Sequence, residues 1–275
     1  MPESSSRTVL ISGASSGIGE ATARAFLAAG WTVHAAARRR DKMAALEAAG
    51  ARIHVLDLNV EDSIRDLARA ILDAHGGVGV LVNNAGIGVY GAVEEVPMDE
   101  ARRQFEVNLF GLARLTQLLL PSMRESGGGT IVNVSSIGGR VYTPMGAWYH
   151  ASKHALEGWS DCLRIEVAPF GIRVIVVEPG AIETEFAEIA IAPLLERSEK
   201  GPYRGFAGKM AAATRRAYLD RKASSPELIA SLIVRAVHSA KPKTRYVAGY
   251  LARPVLWARR LLGDRGFDWM VRKFL

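Results

Sequence analysis

The sequence predicts an α/β fold in which a doubly wound parallel sheet is flanked by helices, and three observations carry this prediction. Short apolar runs alternate with helical stretches along most of the chain, as in successive strand–helix units. The first run breaks directly into a glycine-rich turn that opens a helix. Inner runs such as residues 78–82 lack polar side chains, which is typical of strands covered on both faces. Together these features predict a Rossmann-like sheet.

Length and composition favour one sizeable domain over residues 1–275, because 49% of the residues are hydrophobic and can bury a large core. The single cysteine, Cys162, excludes an internal disulfide and predicts a reducing, cytoplasmic compartment. We expect its thiol to be packed beside the apolar Leu163. The first residues are polar, and no run of about eighteen apolar residues occurs, so we expect a soluble protein without a membrane span.

The net charge of +7 is concentrated at the C-terminus. Residues 226–275 hold ten Lys/Arg and three Asp/Glu, and the rest of the chain is neutral. A basic tail suits nucleic acid, an anionic membrane surface or a solvated helix face. We expect the solvated face and no nucleic-acid partner, and we leave a peripheral membrane contact open.

The glycine-rich turn follows the first predicted strand, residues 8–11. A strand, a turn of this kind and a helix direct backbone N–H groups and a helix N-terminus at a phosphate. Its Gly-x3-Gly-x-Gly spacing differs from the G-x-G-x-x-G of the dinucleotide-binding fingerprint. The residues expected to hold a pyrophosphate are Gly13, Ser15, Ser16, Gly17, Ile18 and Gly19.

The end of the second predicted strand, residues 31–37, indicates the cofactor. An acidic residue there would bind a free ribose 2′-hydroxyl, but Ala37 occupies that position and Arg38 follows it. An arginine fork suits a phosphate, so the sequence predicts NADP rather than NAD. We expect the next two residues, Arg39 and Arg40, to be solvated.

Polar and small residues follow the next two predicted strands. Asp41 is expected to cap a helix, and residues 52–56 form a strand that ends at Asp57, a candidate acceptor for the adenine amino group. The strand at 78–82 then runs into an amide-rich loop, where open α/β sheets bind ligands. The predicted ligand-binding residues of that loop are Asn84, Ala85 and Gly86.

Tyr149 and Lys153 lie four residues apart on a predicted helix and therefore project from one face. An ammonium close to a phenol stabilises the phenolate and lowers the phenol pKa, which would make Tyr149 a usable acid or base near neutral pH. A solvated helix face has the same spacing, so the pair alone does not decide the chemistry.

The second half of the chain supplies the remaining elements. A strand at 172–177 is followed by a loosely patterned stretch, 181–222, which we interpret as a helical substrate lid. Ser225 is expected to cap the next helix, and residues 245–248 to form the last strand. A C-terminal extension, residues 250–275, interleaves tryptophans with arginines.

In this order and spacing the elements resemble the short-chain dehydrogenase/reductase family over residues 7–250. The resemblance is carried by the turn at 12–19, the loop at 83–86, Ser136 placed thirteen residues before Tyr149, and the Tyr-x3-Lys pair. The family usually has threonine where this chain has serine at the start of the turn. This departure is minor.

The resemblance implies hydride transfer between the nicotinamide of NADP and a carbonyl or secondary alcohol, without a metal. Tyr149 would exchange the proton with the substrate oxygen, and Ser136 would hydrogen-bond that oxygen. Lys153 would hold the nicotinamide ribose and lower the Tyr149 pKa. Asn108, matched to a helix-kinking asparagine, would place a water that links Lys153 to solvent. Tyr149 and Lys153 are thus also cofactor-binding residues, together with Pro179, Gly180 and Thr184.

The lid and the extension resemble the hydroxysteroid and retinol dehydrogenase branch, which implies a lipophilic ketone or hydroxysteroid-like substrate. The side chains expected to line an apolar pocket are Tyr90, Tyr142, Met145, Trp148 and Phe186, although each could equally belong to the core. A 3-oxoacyl-type ketoreductase and a non-catalytic NADP(H)-sensing protein are the alternatives. The family resemblance also implies a homodimer or homotetramer.

Overall fold

The computed structural model describes residues 7–218 and 223–274. The last four positions of the expected lid, 219–222, and the polar N-terminal residues 1–6 therefore lie outside the described residues.

Seven parallel strands form one sheet in the order β3-β2-β1-β4-β5-β6-β7. The chain reverses its direction of winding between β3 and β4, which leaves a crevice between β1 and β4 at their carboxyl ends. The Rossmann-like doubly wound sheet expected from the sequence is confirmed. The strands are β1 (Thr8–Ser12), β2 (Thr32–Ala37), β3 (Arg52–Val55), β4 (Val80–Asn83), β5 (Gly129–Val134), β6 (Ile172–Pro179) and β7 (Arg245–Ala248).

Helices cover both faces of the sheet. They are α1 (Gly17–Ala28), α2 (Ala44–Ala48), α3 (Glu61–His75), α4 (Met98–Phe105), α5 (Gly111–Glu125), α6 (Ala147–Val167), α7 (Phe186–Arg197), α8 (Arg204–Tyr218), α9 (Pro226–His238) and α10 (Ala252–Phe274). Helices α1, α2 and α9 enclose one apolar layer, and α3, α5 and α6 enclose the other. In β1, Val9 and Ile11 face the first layer while Leu10 faces the second. This alternation explains why the inner strands are apolar throughout.

Three local expectations are wrong in whole or in part. Asp41 does not cap a helix, because a 3₁₀ turn, Asp41–Met43, precedes α2 and no side chain caps that turn. Cys162 is exposed. It is adjacent in sequence to the buried Leu163, but successive residues of a helix point about 100° apart, so one neighbour packs and the other does not. Ser225 stands at the N-cap position of α9 as expected, but its side chain makes no capping hydrogen bond.

The C-terminal extension forms α10 and packs against its own chain, one of the arrangements expected. Phe267 is 1% exposed and meets the ring of Tyr142 edge-on, with ring centroids 5.3 Å apart. The Tyr142 hydroxyl donates to Asp268 Oδ1 at 2.9 Å, and the Arg259 guanidinium lies over both rings. The helix is interrupted at Gly263, whose φ of +62° lies in the left-handed region that favours glycine. Within the described residues, no helix combines the length and hydropathy needed to cross a bilayer.

Candidate active site

A cavity of about 530 Å³ opens at the carboxyl ends of the central strands. Of the site residues expected from the sequence, only Gly19 and Asn108 do not line it. Those that do are Gly13, Ser15, Ser16, Gly17, Ile18, Arg38, Asp57, Asn84, Ala85, Gly86, Ser136, Tyr149, Lys153, Pro179, Gly180 and Thr184. One crevice therefore brings together residues spread over more than half of the chain.

The glycine-rich turn is packed too closely for side chains. Gly13 has a φ of +70°, and a Cβ added there would lie 2.7 Å from the Ala85 Cα. A Cβ on Gly19 would lie 2.2 Å from the Gly13 carbonyl oxygen. Helix α1 begins at Gly17, so its N-terminal N–H groups lie at the cavity wall. This cradle suits a pyrophosphate, whose negative charge a helix N-terminus stabilises.

Ser12 joins the turn to the loop after β4. Its hydroxyl oxygen accepts hydrogen bonds from the backbone N–H groups of Asn84 and Ala85, both at 3.1 Å. The Asn84 amide in turn donates to the carbonyl oxygens of Ser12 at 3.0 Å and Gly13 at 3.2 Å. These bonds need only a hydroxyl group at position 12, so a serine can make them as well as a threonine.

Asp57 stays ionised beside the cavity. Burial alone would raise the pKa of its carboxyl, but hydrogen bonds from Asn59 and the charges of Arg38 and Arg103 lower the pKa overall. The backbone N–H and the side-chain amide of Asn59 donate to Asp57 Oδ1 at 2.9 and 2.8 Å. An ionised carboxylate can accept a hydrogen bond from an amino group, as expected for this position.

Arg39 is a site residue that sequence reasoning missed. It was expected to be solvated, but its Nη2 donates to the hydroxyls of Ser16 at 3.1 Å and Ser15 at 3.4 Å. The same nitrogen lies 2.9 Å from Glu185 Oε2, and Lys42 Nζ lies 3.9 Å from Glu185 Oε1. The hydrogen bond from Arg39 lowers the pKa of the Glu185 carboxyl. Two cations and two hydroxyls thus meet a carboxylate beside the turn, which is the donor set that a phosphate also needs.

Pro179, Gly180 and Thr184 follow β6 at the same edge of the sheet. The Gly180 N–H donates to the Ala248 carbonyl at 2.8 Å, which fixes this segment to β7. The Thr184 methyl group lies so close to the turn that a Cβ on Gly17 would be 2.8 Å from it. The segment after β6 is therefore in direct contact with the phosphate cradle.

Tyr149 and Ser136 lie close together at the cavity wall. Ser136 follows β5 by two residues and caps the 3₁₀ turn Ile137–Gly139, where its Oγ accepts from the Gly138 N–H at 3.0 Å. Tyr149 is 8% exposed, and its ring packs against those of Tyr90 and Phe186, each with a centroid 5.4 Å away. The phenol is thus held in an apolar enclosure beside the Ser136 side chain.

Burial raises the pKa of Tyr149 well above its usual range, so the expected lowering by Lys153 is wrong for this structure. The nearby Ser136 side chain acts in the opposite direction and lowers the pKa of Tyr149, but by less than burial raises it. Lys153 Nζ instead donates to the Val134 carbonyl oxygen at 2.9 Å. Burial lowers the pKa of Lys153 to about 8, opposed by the charge of Glu157. The cost of burying a charged Tyr149 phenolate therefore outweighs its attraction to the Lys153 ammonium, which the four-residue spacing indicated.

Asn108 lies in a π-helical turn, Glu106–Phe110, that separates α4 from α5, so the expected helix interruption is confirmed. Its Oδ1 accepts from the Ile87 N–H, and its Nδ2 donates to the Ile87 carbonyl oxygen, both at 2.9 Å. The Nδ2 also donates to Ser152 Oγ at 3.0 Å, one residue before Lys153. Asn108 therefore ties the loop after β4 to α6 from behind the cavity. Its expected role in placing a water stays a prediction.

The aromatic lining differs from the expectation, because only Phe186 of the five expected residues faces the cavity. Tyr142 anchors α10, Met145 packs with Leu194 in a separate apolar cluster, and Tyr90 lies behind Tyr149. Trp148 is likewise not part of the wall. Helices α7 and α8 contribute instead Ile189, Pro193, Arg197 and Tyr218. The sequence could not assign these residues, since their helices have no strongly one-sided apolar pattern that would fix which face turns inward.

Comparison with known proteins agrees with this geometry. Residues 7–192 match the family model of the short chain dehydrogenases. The chain belongs to the short-chain dehydrogenase/reductase family. This short-chain dehydrogenase is 35% identical over 278 residues to a dehydrogenase/reductase SDR family protein 7-like of Anopheles gambiae, covering 97% of this chain and 82% of the relative. It is 38% identical over 180 residues to a 3-ketodihydrosphingosine reductase of Bacteroides thetaiotaomicron, covering 66% and 65% of the two chains.

Solved structures of the family have the same fold. A short-chain dehydrogenase from Streptomyces avermitilis superposes with a TM-score of 0.76 and 38% identity, over 88% of each chain. A serine dehydrogenase solved with NADP⁺ gives a TM-score of 0.76 and 25% identity, over 89% of this chain and 95% of that one. Another structural neighbour was solved with NAD. The family makes this chain an oxidoreductase and supports a nicotinamide cofactor.

Proposed function

We propose that this short-chain dehydrogenase is an NADP(H)-dependent oxidoreductase that interconverts a lipophilic ketone and its secondary alcohol. The observation that carries the proposal is that Ser136, Tyr149 and Lys153 line one wall of a cavity that also contains a phosphate cradle. The cradle fits the cofactor, because a Cβ at Gly13 or Gly19 would fill the space needed for close backbone approach. When bound, the nicotinamide gives or takes the hydride.

The chain's own residues handle the proton. Tyr149 gives its hydroxyl proton to the substrate oxygen in reduction and takes it back in oxidation. Ser136 donates a hydrogen bond to that oxygen and stabilises its negative charge. Because burial keeps the phenol protonated, Tyr149 is prepared for the acid role, which favours ketone reduction. Lys153 holds the ribose hydroxyls as a cation, and its pKa of about 8 keeps it mostly charged at neutral pH.

The preference for NADP is supported at the ribose end of the cavity. Arg38 lines the wall there, and Arg39 already binds a carboxylate beside the Ser15 and Ser16 hydroxyls. A phosphate needs the same donors. A charge-assisted hydrogen bond contributes about 1.5–3 kcal/mol, so we expect a preference for NADP over NAD of roughly ten- to over a hundredfold.

A lipophilic ketone is supported by the wall that α7 supplies. Phe186, Ile189 and Pro193 present apolar surface to the cavity. The relative named 3-ketodihydrosphingosine reductase supports a ketone substrate for this chain as well. We further propose that α7 and α8, within the segment 181–218, form the lid over this substrate.

We also propose that the protein forms a homo-oligomer and is located in the cytoplasm. A homodimer or homotetramer is supported by Phe110 and Ile165, which expose 54% and 72% of their surface on the outer helices. A cytoplasmic location is supported by the single free cysteine, Cys162.

Replacing Tyr149 by phenylalanine tests the proposal, because this change removes the proton donor and keeps the ring. We expect NADPH affinity to stay within about twofold and turnover of a ketone to fall roughly 10²–10⁴-fold. Calorimetry gives the affinity, and the absorbance of NADPH gives the turnover. Retained turnover by the variant would contradict the role of Tyr149. Tight NADPH binding by the wild type, with no turnover across a broad set of ketones and alcohols, would favour a cofactor-sensing protein.

A further inference from the structure

The outward face of α10 combines large apolar side chains with cations in a regular pattern. At every fourth position the helix carries, in order, Arg253, Trp257, Leu261, Arg265, Trp269 and Lys273. Residues four apart share a face of a helix, so each half of α10, before and after Gly263, presents one such row. Trp257, Leu261 and Trp269 expose 60%, 75% and 60% of their surface.

The exposure of this row is a consequence of how α10 is held. The second half of α10 is held by Phe267 against the Tyr142 ring and by Asp268 through the Tyr142 hydroxyl. In the first half Ala252 is fully buried, and the Arg259 guanidinium lies over the Tyr142 ring. While these contacts hold both halves of α10 to the chain, Trp257 and Trp269 remain outside the core. Exposed apolar side chains in a row on a helix that is held in place indicate a surface that binds a partner molecule or a membrane.

The charges along α10 are mainly positive. Residues 251–274 contain six Lys/Arg and two Asp. Both acids are engaged within the chain, Asp264 by Arg259 and Asp268 by Tyr142. Lys273 Nζ lies 4.4 Å from the centre of the Trp269 ring, and Arg260 is exposed three residues after Trp257. A partner that binds this face therefore needs both negative charge and an apolar region into which the side chains can be buried.

We propose that this face of α10 binds an anionic lipid surface, with the helix lying in the plane of the interface. Trp257, Leu261 and Trp269 would enter the boundary between headgroups and acyl chains, and the flanking arginines would meet lipid phosphates. The proposal commits to lying on the membrane, in agreement with the absence of a spanning helix from the described part of the chain. It does not depend on the proposed oxidoreductase activity.

Other occupants match only one of the two properties. A second copy docking through the same face would bring identical basic rows together across a two-fold axis, which like-charge repulsion opposes. A nucleic acid would match the charge and could stack on the tryptophans, but it would leave Leu261 and Leu262 in water. An anionic bilayer surface satisfies the cations and buries the aliphatic side chains together.

The test is co-sedimentation of the full chain with vesicles of phosphatidylcholine, with and without phosphatidylglycerol. We expect binding to the anionic vesicles at about 50 mM salt, most of it lost at about 500 mM, because screening weakens exposed charges. The double variant Trp257→Gln/Trp269→Gln should bind at least about tenfold more weakly, since burial of each aromatic side chain contributes to interfacial binding. Arg260→Gln should weaken binding roughly fivefold, the effect of one basic residue near an anionic surface.

Two matched variants control for side-chain exposure alone. Val93→Gln removes a 63% exposed apolar side chain from the loop between β4 and α4, and Arg69→Gln removes an exposed cation from α3. Both should bind vesicles as the wild type does. Far-UV circular dichroism and unfolding midpoints establish that each variant is folded, and quenching of wild-type tryptophan fluorescence by brominated lipids gives an independent measure of insertion.

Four results would overturn the proposal. The first is no binding to anionic vesicles at low salt, and the second is unchanged binding by the double tryptophan variant. The third is a wild-type dimer that the same variant converts to a monomer in sedimentation velocity, which would assign the face to a second copy. The fourth is stronger retention of single-stranded DNA than of vesicles, abolished by the tryptophan substitutions.

Discussion

Arg39 and Glu185 form an ion pair of 2.9 Å at the serine hydroxyls of the glycine-rich turn. Glu185 immediately precedes α7, whereas Arg39 lies between β2 and α2, so the pair joins the two sides of the cavity mouth. Both side chains are about two-fifths exposed, which keeps the pair weak enough for a stronger anion to replace the carboxylate. Under the proposed function, that anion is the 2′-phosphate of NADP.

Replacing Arg39 by alanine should weaken NADPH binding roughly ten- to over a hundredfold and leave NADH binding nearly unchanged, because only the phosphate uses the charge-assisted bonds. Titration calorimetry with both cofactors gives the two affinities. Arg40→Ala is the matched control, since Arg40 pairs with Glu47 away from the turn. An equal loss for both cofactors would instead assign Arg39 to the general stability of the turn.

Glu185→Gln should strengthen NADPH binding, because it removes the carboxylate that competes for Arg39. An exposed ion pair contributes up to about 1 kcal/mol, so the gain should not exceed roughly fivefold. Binding of 2′,5′-ADP, which carries the 2′-phosphate without the nicotinamide, should improve by the same factor. Weaker binding of 2′,5′-ADP by the variant would mean that Glu185 supports the phosphate site rather than competing with it.

Gly19→Ala should abolish detectable cofactor binding and destabilise the fold, because its Cβ would lie 2.2 Å from the Gly13 carbonyl oxygen, a backbone atom that cannot move aside cheaply. Gly158→Ala in α6 is the control, since a Cβ there meets nothing within 4 Å. In a helix interior that change should stabilise the protein by about 0.5–1 kcal/mol. Chemical denaturation of the two variants measures the contrast, and equal stabilities would refute the packing argument.

His34 should make the protein less stable as the pH falls. Burial, then the neighbouring His54, His75 and Arg52, lower the pKa of His34 to about 3, whereas an unfolded chain titrates near 6.5. Between these values the unfolded state binds the extra proton, so stability is full above about pH 6.5 and falls by up to about 1.4 kcal/mol per pH unit below it.

His34→Leu removes this titration and should reduce the slope of unfolding free energy against pH by up to about one proton between pH 6.5 and 4. Urea denaturation across that range measures the slope. A slope that His34→Leu does not alter would show that His34 is already protonated in the folded state.

Features that depend on consecutive residues could be predicted from the sequence. The strand before the glycine-rich turn, the turn itself and the Tyr149–Lys153 spacing are local patterns, and each lies where the sequence indicated. Features that depend on distant segments could not. Arg39 gains its role from Glu185, 146 residues further along the chain, and nothing in the sequence around Arg39 identifies that partner.

The pKa of Tyr149 illustrates the same limit. The spacing to Lys153 indicated the attraction between charge and phenol, but not the desolvation that opposes it. That desolvation comes from rings such as Tyr90 and Phe186, which lie far from Tyr149 in sequence and reach it only through the fold. Tyr142 likewise contacts an aromatic partner, Phe267, that lies 125 positions further along the chain. The sequence predicted Tyr142 in the substrate pocket, and nothing near it in the sequence indicates that it holds α10 instead.

The exposure of Cys162 makes this chain unusually easy to label. It is the one cysteine in the sequence, and its side chain is open on the outer surface of α6. A maleimide dye or spin label would therefore attach at a single known position without prior mutagenesis. Energy transfer from such a dye to a labelled bilayer would report how the body of the protein is oriented above it.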